Sequence, residues 1–262
     1  MLHLLKVEWL KVKNYKAFWI FTILYAFAIV GINYTGLYIQ ELTMQNLPMG
    51  EALIGSPYTF PNVWATVGFM SSWLLYFPGI LFIMLLTNEF NFKTHRQNII
   101  DGWTRQQFVT VKFVFAILFS LAATIFIFLV ALLIGLTATG SVFSVSGMEN
   151  IGYIFIQTVA YITFAMFLAI LFRRSGAAIA VFFLYGLIFE FIITTFVNLK
   201  LELSPVGYFL PLQVTDVMLP TPFAKSVVYQ NAPDVWVLVL SSVAFIFAYY
   251  FIAIRKFTKD DL

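Results

Sequence analysis

Cysteine is missing from this chain, which rules out a disulfide framework, a thiolate metal site and a cysteine nucleophile. Charge is scarce as well. Asp, Glu, Lys and Arg make up 10% of the residues, against about 25% in a soluble domain, while 61% are hydrophobic. Such a chain lacks the polar side chains to cover a water-facing surface, so the composition is that of an integral membrane protein. Histidine occurs only as His3 and His95, both outside the apolar runs, which argues against a histidine-based catalytic or metal centre within the membrane. No glycine is followed by lysine, so the phosphate-cradling pattern G-x-x-x-x-G-K-[ST] is absent and the chain is not expected to hydrolyse ATP by itself. The net charge of +3 is accounted for below by where the basic residues fall, and no nucleic-acid partner is expected.

What the chain has in quantity is long apolar sequence. At 1.5 Å of rise per residue, about 20 residues cross the ~30 Å hydrocarbon layer. Six stretches are long enough: residues 17–36, 63–87, 113–136, 151–172, 177–197 and 235–254. Their apolarity is continuous rather than alternating, which points to helices and not barrel strands. The expected fold is an all-α integral membrane domain over residues 1–262 with six transmembrane helices. Basic residues are retained on the cytoplasmic side. Of the 15 Lys and Arg, 13 lie before the first span, between spans two and three or four and five, or after the sixth; Lys200 and Lys225 are the exceptions. Both termini are therefore expected in the cytoplasm, with the protein in the cytoplasmic membrane.

Eight of the nine prolines fall in residues 37–62 and 198–234, the two segments assigned outside. The second is long for a connection. It is expected either to fold back as short helices or a lid, or to remain a flexible apolar loop. The ninth, Pro78 in YFPGILF, is expected to kink the second span and is a candidate for the translocation path. Residues 1–16 read as a retained leader, not a cleaved signal. Leu2, Leu5, Trp9 and Val12 recur at helical spacing while the lysines and Glu8 take other positions, as in a helix lying in the membrane interface. The alternative is a basic leader that only fixes topology.

Between spans two and three, residues 88–112 break the apolar pattern with NEFNFKTHRQNIIDGWTRQQF. Thr94-His95-Arg96-Gln97 and Thr104-Arg105-Gln106-Gln107 both fit the capping box, in which the N-cap Thr and the Gln three residues on satisfy each other's backbone N–H groups. Gly102 between them suits a left-handed C′ position. The expectation is a short, stiff helix of about two turns, with Arg96, Ile99 or Ile100, and Trp103 sharing one side. A plain turn between antiparallel helices needs only about 2–8 residues. The loop is thus read as a docking surface, against the alternative of a well-capped connector.

With that layout in place, the chain resembles the permease subunits of ABC-2 type transporters. The resemblance rests on the basic leading helix, the six spans and the loop residues Glu89, Thr94, Arg96, Ile100, the run Asp101-Gly102-Trp103-Thr104-Arg105, and Lys112, together with the charged ending RKFTKDDL. Gly102 stands where proline is usual in that family, and Asp101 and Thr104 stand where serine is usual. The resemblance implies an exporter half that pairs with a second permease subunit, as homo- or heterodimer. A separate ATPase subunit would dock at Glu89, Thr94, Arg96, Gln97, Ile99, Ile100, Asp101, Gly102, Trp103 and Arg105. ATP and Mg would then be held by that partner and no cofactor by this chain, and the substrate would be lipid-like, amphipathic, or peptide- or drug-like.

The rival expectation is an ion-gradient-driven secondary transporter built on Glu190 in LYGLIFEFIITTF, since a carboxylate at membrane depth faces an interior or finds a partner. A structural role, with Glu190 bonded to Tyr185 or Thr194 on its own helix, is the counter-reading. An intramembrane enzyme needs paired carboxylates, a Ser with His or Lys, or a metal cluster, which the spans do not offer.

Overall fold

The computed structural model describes residues 1–46, 55–222 and 231–259. Expectations that fall on Pro48, Lys225 and the end of RKFTKDDL lie outside these residues. Within them the protein is all-helical, without a strand. Helix α1 is Leu2–Lys13, α2 Lys16–Asn46, α3 Val63–Ser72, α4 Tyr76–Asn91, α5 Thr94–Ile100, α6 Arg105–Thr137 and α7 Glu149–Phe172. Helix α8 runs Ser175–Asn198, and α9, Gln213–Asp216, and α10, Val235–Lys259, complete the described helices.

Five helices (α2, α6, α7, α8 and α10) are long and apolar enough to cross a membrane, and α3 with α4 forms a further candidate bent by 44°. The protein is a multi-pass membrane protein. Helix α7 is its axis: 78% of its most apolar stretch is buried, against 17% for α8. Ala160, Ala165 and Ala169 are fully buried, and such small residues let neighbouring backbones approach closely. Helices α3, α4, α6, α8 and α10 pack around it. Aromatic side chains fill the gaps, as where Phe182 of α8 meets Tyr76, Tyr161 and Phe164.

Several helices outrun their apolar stretches. Helix α2 continues ten residues beyond the expected end at Gly36, because Leu37 and Gln40 find buried partners: the Gln40 side-chain oxygen accepts the Tyr58 N–H at 2.8 Å. Helix α6 begins at Arg105, eight residues before the apolar run, where its cap lies. The kink in the second span also sits elsewhere than expected. Its break covers Trp73–Leu75, and Pro78 lies in the first turn of α4. Proline removes the bond to residue i−4 and clashes with that carbonyl, here Leu74, so the chain bends before the proline and not after it. Gly79 is held to glycine by packing, since a Cβ there would lie 2.4 Å from the Phe182 ring.

The segment after α8 folds back. A 3₁₀ turn, Val206–Phe209, and α9 pack against α7, α8 and α10, with Leu212, Val214 and Leu219 fully buried. Among the described residues of 198–234, the folded-back alternative describes the chain.

Candidate functional site

At the charged end of the bundle, α1, the end of α4, α5 and the start of α6 converge. Helix α5 is the expected two turns, but only one of the two capping boxes forms. Lys93 occupies the N-cap position with φ +57°, so Thr94 is the first helical residue and caps nothing; the Gln97 amide donates instead to Asp101 at 2.9 Å. Left-handed Lys93 is what sets the helix start, since its carbonyl already accepts the Arg96 N–H. At the other end, Gly102 adopts φ +100°. The Trp103 N–H reaches the Asn98 carbonyl and the Gly102 N–H the Ile99 carbonyl, which is the Schellman arrangement. Thr104 then forms a complete box with Gln107, at 3.1 and 2.9 Å, and starts α6.

Beneath α5 lies a network of four charges. Lys112 of α6 pairs with both Glu8 of α1 and Glu89 of α4. Lys11 donates to Glu8 at 3.1 Å, lies 3.5 Å from Glu89 and 3.4 Å from the Asn98 side-chain oxygen, and sits over the Trp103 ring. Two carboxylates and two ammoniums balance. Burial alone would raise the Glu8 carboxyl's pKa, but Lys112 and Lys11 outweigh it and hold it below the usual carboxylate value. Charge-assisted bonds of this kind are the strong ones, and losing one member of a buried pair strands the other.

The loop is braced from a second side. Arg105 donates to the Thr258 carbonyl at 2.8 Å, meeting the unsatisfied carbonyls at the end of α10. Phe257 of α10 stacks on Phe108 and lies against Phe90 and His95, whose Nδ1 is 2.9 Å from the Glu89 carbonyl. Arg173, between α7 and α8, lies over Phe90.

The sequence-derived site residues therefore separate into two sets. Glu89, Ile99, Trp103 and Arg105 point into the protein or tie elements together. Arg96, Gln97, Ile100 and Asp101 are exposed, and with exposed Phe92 they form the outer face of α5. The expected alignment of Arg96 with Trp103 is not seen, because Trp103 turns toward Lys11. Thr94 is exposed beside the network, and Gly102 supplies the turn. Glu8 is the residue the sequence reading placed wrongly: it is 2% exposed, turned with Val12 toward the bundle, while Leu2 and Trp9 face outward.

Glu190 and Pro78 lie apart from this end and are both buried. Glu190 bonds with the Tyr185 hydroxyl on its own helix, one of the expected partners, and also accepts the Leu212 N–H at 2.8 Å from the folded-back segment, whereas Thr194 donates not to Glu190 but to the Gly207 carbonyl at 3.0 Å. At the far end of α9 a second carboxylate, Asp216, accepts from Gln157 at 2.7 Å and Tyr161 at 2.8 Å, both on α7. Burial pushes the Asp216 carboxyl up to about 6, with the Tyr161 and Gln157 hydrogen bonds pulling against it. The sequence reading missed Asp216; an acid inside the apolar run LQVTDVML was the available signal. No cluster of His, Cys, Asp and Glu suited to a metal exists among the described residues.

These features define a class: a polytopic helical membrane protein with a braced helical turn at its charged end and a folded-back segment pinned to its interior by two carboxylates. The chain belongs to the family described as protein of unknown function (DUF2705), whose model matches residues 53–262. No curated protein matches it in sequence.

Proposed function

We propose that the chain is the membrane-spanning permease subunit of an ATP-driven exporter of the ABC-2 type, with six spans and both termini in the cytoplasm of a cell whose cytoplasmic membrane holds it. The observation that carries the reading is α5. It is a short helix with defined ends, fixed from beneath by the Glu8–Lys11–Glu89–Lys112 network and from the side by Arg105 and Phe257, and its outer face of Arg96, Gln97 and Ile100 is exposed. A turn that only joins two spans needs none of this bracing. A turn that receives force from a separate ATPase subunit does, because a lever must be stiff to move the helices on which it sits. ATP and Mg belong to that subunit. Spans α2 and α8, both largely unburied, leave room for a second permease subunit, and the cargo is lipid-like, amphipathic, or peptide- or drug-like.

The test is purification of the tagged full chain in mild detergent from its native membrane, followed by ATP hydrolysis measurements. A stoichiometric ATPase subunit with vanadate-sensitive turnover, lost on Arg96→Glu together with Ile100→Asp, is expected. A chain that purifies alone refutes the reading.

A second reading has its own observation: Glu190 and Asp216 lie within the bundle with hydrogen-bond donors but, among the described residues, no Lys, Arg or His paired to them. An ion-gradient-driven transporter would use such groups. Solute movement in vesicles under an ion gradient without ATP, abolished by Glu190→Gln, selects this reading over the exporter.

A further inference from the structure

Helix α1 has two faces of different chemistry. Toward the bundle it presents Glu8, Lys11 and Val12, which end in the charge network and in the packing around Phe18 and Leu81. Away from the bundle it exposes Leu2, Lys6, Trp9, Leu10 and Lys13. At 3.6 residues per turn these five share about a third of the helix circumference.

Two tryptophans fix where this outer face lies. Trp19 is exposed near the start of α2, one of the helices able to cross the membrane. Its indole Nε1 donates to the Lys13 carbonyl at 2.9 Å, and its ring meets Trp9 edge-on with the centroids 6.4 Å apart. Tryptophan settles at headgroup level, where its ring is in apolar surroundings and its N–H in polar ones. The pair therefore holds Trp9 and Leu2 at the edge of the hydrocarbon layer. By the helical step Lys6 and Lys13 stand beside them, and Lys16 opens α2.

The charge on this face has one sign. Glu8 is the single acid of α1 and it is turned inward, where Lys11 and Lys112 meet it. Lys6, Lys13 and Lys16 are all exposed, and among the described residues no carboxylate pairs with them. A lysine stem can lie along apolar surface while its ammonium rises into the headgroup layer. At that depth each lysine adds about fivefold to the preference for a negatively charged surface.

We propose that the outer face of α1 is a binding surface for acidic phospholipids, with Lys6, Lys13 and Lys16 taking the headgroup phosphates and Leu2 and Trp9 lying against the upper acyl chains. Glu8 and Lys11 belong to the same helix, so the contact ties the network beneath α5 to the membrane surface. The surface does not depend on the exporter reading.

The experiment uses the full chain in phosphatidylcholine nanodiscs doped with a phosphatidylglycerol or a phosphatidylcholine probe. Both probes carry the same diazirine high on one acyl chain, and the residues labelled on illumination are mapped by mass spectrometry. At low salt the phosphatidylglycerol probe labels residues 1–19 at least about fivefold more than the phosphatidylcholine probe, and the ratio falls toward one at high salt. Lys6→Gln, Lys13→Gln and Lys16→Gln together bring the ratio near one, whereas the three Lys→Arg changes preserve it. Labelling at the end of α10, beside exposed Arg255 and Lys259, keeps its own ratio in both variants and reports that the protein is folded. Equal labelling of residues 1–19 by the two probes, or a ratio that survives the three Lys→Gln changes, overturns the assignment. A ratio abolished by dissolved glycerol phosphate also overturns it, since the surface would then take free phosphate anions and not a lipid.

Discussion

Glu8 and Glu89 at the charged end, and Glu190 and Asp216 beside the folded-back segment, solve the same problem in opposite ways. Each pair places carboxylates where water is scarce. The first pair is matched by Lys11 and Lys112, drawn from two different helices. The second is met by neutral donors, namely a backbone N–H, a tyrosine hydroxyl and a glutamine amide. The lysines hold the Glu8 carboxyl below its ordinary value and tie the helices together. Burial, against the pull of those neutral donors, pushes Asp216 up to about 6, so it takes up a proton as pH falls through that value. One end is therefore a clamp of matched charges and the other a fastening whose Asp216 responds to pH.

The largest effect expected from this difference is at Lys112. Lys112→Met leaves Glu8 and Glu89 with Lys11 alone, one buried charge unmatched, and is expected to destabilise the protein by about 3–5 kcal/mol, read as loss of thermal stability in detergent. Adding Glu89→Gln to that variant restores part of the loss, because the unmatched charge is gone and Lys11 still faces Glu8. If Lys112→Met is as stable as the wild type, the clamp is not holding the loop.

The next effect lies in the sign of pH dependence. The Glu8 carboxyl sits below its unfolded value of 4.5, so its contribution is present above about pH 4.5 and is lost as pH falls through the folded pKa. Asp216 sits above its unfolded value of 3.8, at about 6, so the fold gains stability as pH falls through about 6, with the gain complete below 3.8. Glu190 on α8 and the Tyr76 and Tyr161 hydroxyls share its surroundings. Asp216→Asn keeps an oxygen for Gln157 and Tyr161, and is expected to flatten the melting-temperature profile between pH 7 and 5 while leaving the acid loss below 4.5 in place. Glu8→Gln should do the reverse. A profile altered in the same way by both variants would erase the distinction between the two ends.

A smaller effect separates the two Thr-x-x-Gln sequences. Thr104→Ala is expected to cost about 1 kcal/mol, since it removes a formed cap. Thr94→Ala is expected to stay within about 0.5 kcal/mol, as Thr94 caps nothing. Equal losses in thermal unfolding would mean that both boxes form in the protein.

Those two sequences also show what local sequence can and cannot tell. The apolar runs, the Gly102 turn and the Thr104 box are local features, set by residues within a few positions of one another, and all were legible. The Thr94 box was equally plausible by spacing, but left-handed Lys93 takes the cap position. Glu8 looked like part of a polar face because its partner Lys112 is 104 residues away, and helical periodicity carries no information about so distant a charge. Asp216 was missed for a related reason: the segment was expected to fold back or to stay flexible, but no local pattern reports that Asp216 lands beside Tyr161, 55 residues away. Pro78 was legible as a kink, yet the bend lies upstream because the proline acts on the carbonyl four residues before it.

The central claim is that the outer face of α5 receives another subunit, and the lack of cysteine makes it directly testable. Ile100→Cys provides a single thiol at that face, to be coupled to a photo-activatable cross-linker in native membranes and the adducts identified by mass spectrometry. The account predicts an adduct with an ATP-hydrolysing subunit that disappears when Arg96→Glu is added. Cross-linking only to lipid or to other copies of this chain, unchanged by Arg96→Glu, would contradict it.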